Sequence, residues 1–204
     1  MSAVAKRKLT PAEYLAIERA APFKSEFFNG EMFAMAGATP AHNTVKENLI
    51  GEIYGRLKGG PCRTYSSDQR VKVEPTGLYT YPDIVIVCGK PEFDPLDSDT
   101  LINPQVIIEV LSPSTERYDR GAKFRHYQQC PSIQEVVLVA QDRIQVDRFV
   151  RQADGNWLLT VFADRAAQFS LSTAPVSFPV ADIYARVDIP TEPTSQPGPV
   201  AEAS

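Results

Sequence analysis

Two carboxylates lie where carboxylates are costly. Asp83 stands at the start of the apolar run Tyr81-Pro-Asp-Ile-Val-Ile-Val-Cys88, and Glu109 stands near the end of Gln105-Val-Ile-Ile-Glu-Val-Leu111. Near-continuous apolar runs are expected of central strands covered on both faces. A carboxylate inside one must find a metal, a cation or a hydrogen-bond donor to offset its desolvation. If the two strands pair antiparallel, Asp83 and Glu109 meet at one end of the sheet, and such a pair suits a hard divalent cation with oxygen ligands and room for water. Taken singly, Asp83 only ends a turn after Pro82 and Glu109 only pairs with a basic residue. Taken together, with a basic helix directly downstream, they make a site.

That helix, Thr115-Glu-Arg-Tyr-Asp-Arg-Gly-Ala-Lys-Phe-Arg-His-Tyr-Gln-Gln129, sets Arg117, Arg120, Lys123 and Arg125 against Glu116 and Asp119. Lys123 and Tyr127 are four apart and share a face with Arg120. Such a face can pin phosphates beside a metal, although basic helix faces are usually just solvated. Lesser candidates are His42 in the first turn of an earlier helix, Ser112 after the glutamate strand, and Asp68 before another strand. For Ser112 and Asp68 the plain reading is turn formation, and Asp119 reads as a partner for Arg120 or Lys123. Two histidines in the whole chain supply a His-based metal site or a Ser-His-Asp triad poorly.

The elements that must position these residues follow from local signals. Thr10-Pro11-Ala12-Glu13 opens a helix with a capping hydroxyl, proline at the first position and glutamate at the third. Asn29-Gly30 between apolar flanks is a two-residue hairpin turn, in a register that sets Glu26 opposite Phe33 and Phe28 opposite Glu31. Glu26, Phe28, Glu31 and Phe33 then share one face of the sheet. Thr39-Pro40 opens a helix to about Lys58 with Val45, Leu49, Ile53 and Leu57 as its apolar stripe. Gln69 to Glu74 alternates as a half-buried strand, and Ser114 or Thr115 caps the basic helix. Glu135–Ala140, Ile144–Arg151 and Trp157–Ala163 form a meander, with Trp157 in the core. The fold class is α+β, a mixed sheet with helices on its faces.

Composition bounds the rest. The chain has 204 residues, 43% apolar and 23% charged, enough for one domain with a substantial core. We expect residues 1–188 to form that domain and residues 189–204, with four prolines and no aromatic residue, to be a disordered tail. A formal net charge of −4 excludes a nucleic-acid coat built on net positive charge, but not a local basic groove. Cys62, Cys88 and Cys130 are widely spaced and form no CxxC pair, so no disulfide or zinc framework is expected, and Cys88 reads as a small buried hydrophobe. The N-terminus has no signal-like apolar stretch and no run approaches the length of a membrane span, which makes a cytoplasmic protein the expectation.

The combination Phe27-Phe-Asn-Gly-Glu31, Ser67-Asp-Gln-Arg-Val71, Tyr81-Pro-Asp-Ile-Val85 and Ile108-Glu-Val-Leu-Ser-Pro-Ser-Thr115, with Asp119, Gly121, Lys123 and Tyr127, resembles the Uma-two family. This is a bacterial group of endonuclease-like proteins in the PD-(D/E)XK restriction-endonuclease-like superfamily, and the resemblance runs from about Thr10 to Val187. It implies an α/β/α core, with a central four-stranded mixed sheet flanked by helices and a metal site at its edge. Asp83 matches the aspartate of the PD motif and Glu109 the first acidic residue of (D/E)XK. Both would bind Mg²⁺ or Mn²⁺, with the Val110 carbonyl as another ligand. Glu31, and after it Glu26, match an acidic position that completes the metal shell. The superfamily lysine belongs two residues after Glu109, where this chain has Leu111, so the resemblance moves that role to Lys123 on the next helix. His42, Asp68, Ser112, Arg120 and Tyr127 would surround the site or contact phosphate.

The function expected is metal-assisted phosphodiester hydrolysis on nucleic acid, DNA before RNA, with no membrane and with a homodimer open by resemblance alone. A non-catalytic nucleic-acid or protein-binding module that keeps the fold is the alternative, favoured by the acidic charge balance and the missing in-strand lysine. A glycosidase using Glu26 and Glu31 as paired carboxylates is a third, weakened by a single tryptophan where a sugar platform would be wanted.

Overall fold

The computed structural model describes residues 7–189. The chain runs α1 (Pro11–Ala20), β1 (Ser25–Phe28), β2 (Glu31–Ala34), α2 (Pro40–Leu57), β3 (Cys62–Ser66), β4 (Arg70–Val73), β5 (Leu78–Thr80), β6 (Ile84–Cys88), β7 (Phe93–Asp94), β8 (Asp97–Leu101) and β9 (Val106–Leu111). It continues through α3 (Glu116–Tyr118), a π-helical turn (Asp119–Lys123), α4 (Phe124–Gln129), β10 (Glu135–Ala140), β11 (Val146–Arg151), β12 (Trp157–Phe162), β13 (Gln168–Ser170), β14 (Ser177–Pro179) and α5 (Val180–Ile183).

The local signals act as their chemistry requires. Thr10 and Glu13 close a reciprocal capping box at the start of α1, and Thr39 accepts a hydrogen bond from the His42 N–H to cap α2. Asn29 and Gly30 both hold positive φ, 50° and 83°, which is what a two-residue turn between twisted strands demands. The register is Glu26 opposite Phe33 and Phe28 opposite Glu31.

The central sheet has six strands in the order β12-β11-β10-β9-β6-β3, rather than four. The β10-β11-β12 meander is its continuation, because β10 lies parallel to β9 across the helical crossover. The rest of this sheet is antiparallel. A second six-stranded sheet, β2-β1-β5-β4-β8-β7, brings the N-terminal hairpin beside β5.

Both faces of β6 and β9 are covered, which accounts for their unbroken apolar runs. Ile84, Ile86, Val106 and Ile108 face the buried stripe of α2, namely Val45, Leu49, Ile53 and Leu57. Val85, Val87 and Ile107 face the other way, toward Tyr127, Val71 and Val73. Strand alternation therefore aims Glu109, two residues from Ile107, at the layer that holds Tyr127.

Three expectations need correction. Cys62 and Cys88 are directly opposed on β3 and β6 and form a disulfide, while Cys130 is free and buried. Residue spacing alone does not reveal a cross-strand pair, whose proximity depends on a register fixed 26 residues apart. The basic helix is not uniform: its middle widens into a π turn, and Thr115 does not cap it through its side chain. Trp157 is only partly buried, against Phe124 and the Arg151 guanidinium. Of the expected tail, Ile189 is described and packs partly on the core, and the remainder, 190–204, lies outside the described residues. No helix among the described residues is long and apolar enough to cross a membrane.

Candidate active site

Asp83 immediately precedes β6, and β6 pairs antiparallel with β9 so that Ile84 lies opposite Ile108. The next pair outward is Asp83 and Glu109. The Val110 N–H donates to Asp83 Oδ2 at 2.8 Å, which ties the loop to the strand, and His42 Nε2 lies 3.2 Å from the same oxygen. The conditional expectation of two carboxylates meeting at one sheet end is met.

The helix supplies the counter-charge. Lys123 is 4% exposed and its ammonium lies 2.9 Å from Glu109 Oε1, 3.2 Å from Glu26 Oε1 and 3.4 Å from Asp119 Oδ1. The Tyr127 hydroxyl donates to Glu109 Oε1 at 2.6 Å. Glu26 is held further by hydrogen bonds from the Thr80 hydroxyl and, at 2.9 Å, from the Tyr118 hydroxyl. The π turn matters to this arrangement. The Phe124 N–H reaches back to the Asp119 carbonyl, and the widened turn accompanies a split between side chains that a regular helix would have kept on one face. Asp119, Lys123 and Tyr127 face the cluster, whereas Arg120 turns away to pair with Glu116 and Asp147.

Three carboxylates around one ammonium leave negative charge in surplus. Removing a single partner from a buried pair costs about 3–5 kcal/mol, against about 1 kcal/mol for an ordinary hydrogen bond, so protons redistribute to limit the excess. Burial pushes the Glu109 carboxyl well above the usual carboxylate range, against the pull of Lys123, and the neighbouring Asp119 and Asp83 charges push it the same way. Asp119 is raised mainly by burial as well. Glu26 also suffers burial, but Lys123, Thr80 and Tyr118 outweigh it and hold its carboxyl low. The Lys123 ammonium is kept charged despite burial by Glu109 and its neighbours.

Above the cluster opens a cavity of about 1130 Å³, to which Asp83, Glu109, Val110, Lys123, His42 and Ser112 all contribute. Among the described residues, Asp83 Oδ1 and Glu109 Oε2 carry no hydrogen bond, so each carboxylate keeps one oxygen uncommitted. Hard oxygen donors of this kind match Mg²⁺ or Mn²⁺ chemistry. No three His, Cys, Asp or Glu side chains among the described residues form a ready-made shell, so water or substrate oxygens would have to complete one.

The other expected residues divide. Glu26, not Glu31, is the hairpin carboxylate at the site: Glu31 is exposed beside the turn, in a small depression with Arg7 and Lys8. The two are on one face of the hairpin, but only the end bearing Glu26 lies under the helix, so they do not form a glycosidase-like pair. Asp68 is exposed and pairs with Lys24 at 2.9 Å. Ser112 bonds with Ser114 and Thr115 in the turn before α3, as the plain reading has it. Residue typing missed Thr80 and Tyr118, whose roles depend on bringing the second sheet and the helix together. It also missed Lys46, which lines the cavity one turn after His42 on α2.

A family model described as "Uma2: Putative restriction endonuclease" matches residues 11–181. Two uncharacterized proteins of Synechocystis are similar along most of their length. The protein slr1290 is 35% identical over 180 residues, covering 87% of this chain and 92% of the relative. The protein sll1609 is 34% identical over 164 residues, covering 80% and 93%. In three dimensions the chain is similar to a crystal structure from Anabaena variabilis described as a putative nuclease belonging to DUF820, with a TM-score of 0.68 and 18% identity over 84% of this chain and 95% of that one. That likeness establishes the shared fold, and the family match extends over the hairpin, both central strands and the helix that builds the cluster: the chain belongs to the Uma2 family.

Proposed function

We propose that this protein is a divalent-metal-dependent endonuclease that hydrolyses phosphodiester bonds of nucleic acid. The observation that carries the proposal is the meeting of Asp83 and Glu109 across the β6–β9 pair, on a cavity wall, with the Lys123 ammonium 2.9 Å from Glu109. Asp83, Glu109 and the Val110 carbonyl are the residues that would hold Mg²⁺ or Mn²⁺, while Glu26, its two oxygens taken by Thr80, Lys123 and Tyr118, stands behind them. Such an ion, when bound, lowers the pKa of a water ligand and neutralises charge building on the phosphoryl oxygens.

The chain's own groups have separable tasks. Tyr127 fixes the rotamer of Glu109 through Oε1, leaving Oε2 to face the cavity. His42 and the Val110 N–H do the same for Asp83 through Oδ2. Lys123 stays protonated and offers a fixed positive charge to a phosphate oxygen or to the attacking water, the sort of preorganised charge that stabilises a transition state without reorganisation. Glu26 and Asp119 orient that ammonium.

The experiment is cleavage of supercoiled plasmid and of single-stranded DNA, with Mn²⁺ or Mg²⁺, by the parent, Asp83→Ala and Glu109→Ala. Metal-dependent nicking by the parent that disappears in both variants is the expected result. Nicking that survives in Asp83→Ala overturns the assignment. One observation favours a second reading: Lys123 is already engaged by three carboxylates, as a structural lysine would be. A non-catalytic nucleic-acid or protein-binding module follows from that, and it predicts neither nicking nor a metal-induced rise in Tm.

A further inference from the structure

Phe33 is half exposed, unusual for a phenylalanine. The hairpin register places it opposite Glu26, the carboxylate that contacts Lys123. Alternation puts Glu26 and Phe28 of β1 and Phe33 of β2 on the same face, the Lys24–Met35 pair just beyond the strands continues it, and all five line the cavity. Phe23, 58% exposed, stands at the same wall. The second observation is on α2. The Lys46 side chain is only 14% exposed, and it reaches the Ser67 hydroxyl at 3.4 Å and, at 3.9 Å, a Glu47 carboxylate that is itself largely exposed. It lines the cavity one helical turn from His42, which touches Asp83. Both contacts are long, so the ammonium keeps capacity for an anion that enters the cavity.

Exposed aromatic rings and a cation on the walls of one cavity suit a nucleic-acid strand with unpaired bases: a π surface for a base and a charge for its phosphate. Glu109 is 4% exposed, so a phosphate must enter the cavity to reach it. We propose that the cavity takes single-stranded or locally unpaired nucleic acid, with a nucleobase stacked on Phe33 and a phosphate held by Lys46. This rests on the nuclease reading for the chemistry at Asp83 and Glu109, and goes beyond it in naming the substrate's form.

The test is binding, not cleavage. Fluorescence anisotropy of a labelled oligodeoxynucleotide, its oligoribonucleotide equivalent and the matching duplexes is measured in EDTA with the full chain, Phe33→Ala, Phe33→Trp and Lys46→Ala. Single strands should bind at least about 10-fold tighter than duplex, with the ribo and deoxy arms saying which sugar is preferred. Phe33→Ala should weaken single-strand binding about 10-fold, the loss expected from one stacked base, and Phe33→Trp should restore it. An abasic position in the oligonucleotide should weaken binding to the parent but not to Phe33→Ala. Lys46→Ala should weaken all sequences alike and flatten the salt dependence. Equal affinity for duplex and single strand, or parental binding by Phe33→Ala, overturns the proposal. Metal-dependent nicking accompanied by either of those results would leave the nuclease reading standing. Phe33-dependent binding without nicking would do the reverse.

Discussion

Asp83 and Glu109 are cross-strand neighbours, one residue beyond the Ile84–Ile108 pair, and the Asp83 carboxylate accepts the N–H of Val110, the residue after Glu109. Glu109 is thus positioned by its strand, and Asp83, in the bend just before β6, is tied to that strand by the Val110 N–H. Placement of this kind makes single substitutions informative, because the sheet should survive them.

Lys123→Met is expected to destabilise the protein by about 3–5 kcal/mol at pH 8, since it leaves Glu26, Glu109 and Asp119 buried without their shared cation. The loss should shrink at pH 5, where protons can take the place of the ammonium. Urea denaturation at the two pH values checks this. A loss of equal size at both would mean that packing of the lysine stem, not its charge, is what counts.

Burial raises the Glu109 carboxyl above its unfolded value of 4.5, so the folded protein without metal favours the protonated form. The sign follows: this group's contribution is fully present below about pH 4.5 and is lost as pH rises toward its folded pKa, while a divalent ion that needs the carboxylate must displace the proton. The rise in Tm produced by Mn²⁺ should therefore be larger at pH 8 than at pH 6, and calorimetry in buffers of different ionisation heat should detect proton release. A metal effect independent of pH would remove Glu109 from the ligand set.

The parts of this site that were legible in the sequence are those governed by local chemistry. Asn29-Gly30 dictates the hairpin and its register, Thr10 and Thr39 the helix starts, and two carboxylates in apolar runs betray the need for partners. What was not legible depends on distant chain segments meeting. Glu26 and Glu31 look alike on the hairpin face, and only the docking of the helix selects Glu26. Arg120 and Lys123 look alike on the helix face, and the π turn accompanies their parting. The second sheet, built from short pairings such as β4 with β8, carries little periodicity of its own.

Asp97 anchors that second sheet. Its carboxylate is paired with Arg70 and Arg19 and bonded by the Thr100 hydroxyl, and although burial opposes its charge, these donors prevail and hold it down at about 2. A depressed carboxyl contributes stability that is complete above its unfolded value of 3.8 and is lost as pH falls through about 2. Asp97→Asn should thus cost about 3 kcal/mol near neutrality by leaving Arg70 buried and unpaired. The gap between variant and parent should close between pH 4 and pH 2. Parallel stability curves over that range would show that the Arg70–Asp97 pair is not what links β4 to β8.

The Cys62–Cys88 disulfide joins β3 to β6 across 26 residues. By loop-closure entropy a bridge of this span is worth about 3.5 kcal/mol, drawn mostly from the unfolded chain. Reduction should lower Tm without unfolding the protein, because the β3–β6 ladder and the α2 stripe packed on it remain. A Cys62→Ser, Cys88→Ser double variant should match the reduced parent and should be insensitive to dithiothreitol. Cys88 ends the strand that Asp83 immediately precedes, so the two lie beyond opposite ends of the apolar run and the variant should retain the metal response of the parent. A double variant that is as stable as the oxidised parent would mean that the strand pairing already restricts the unfolded chain as much as the bond does. Loss of the metal response, by contrast, would mean that the β3 edge positions Asp83 through the length of β6.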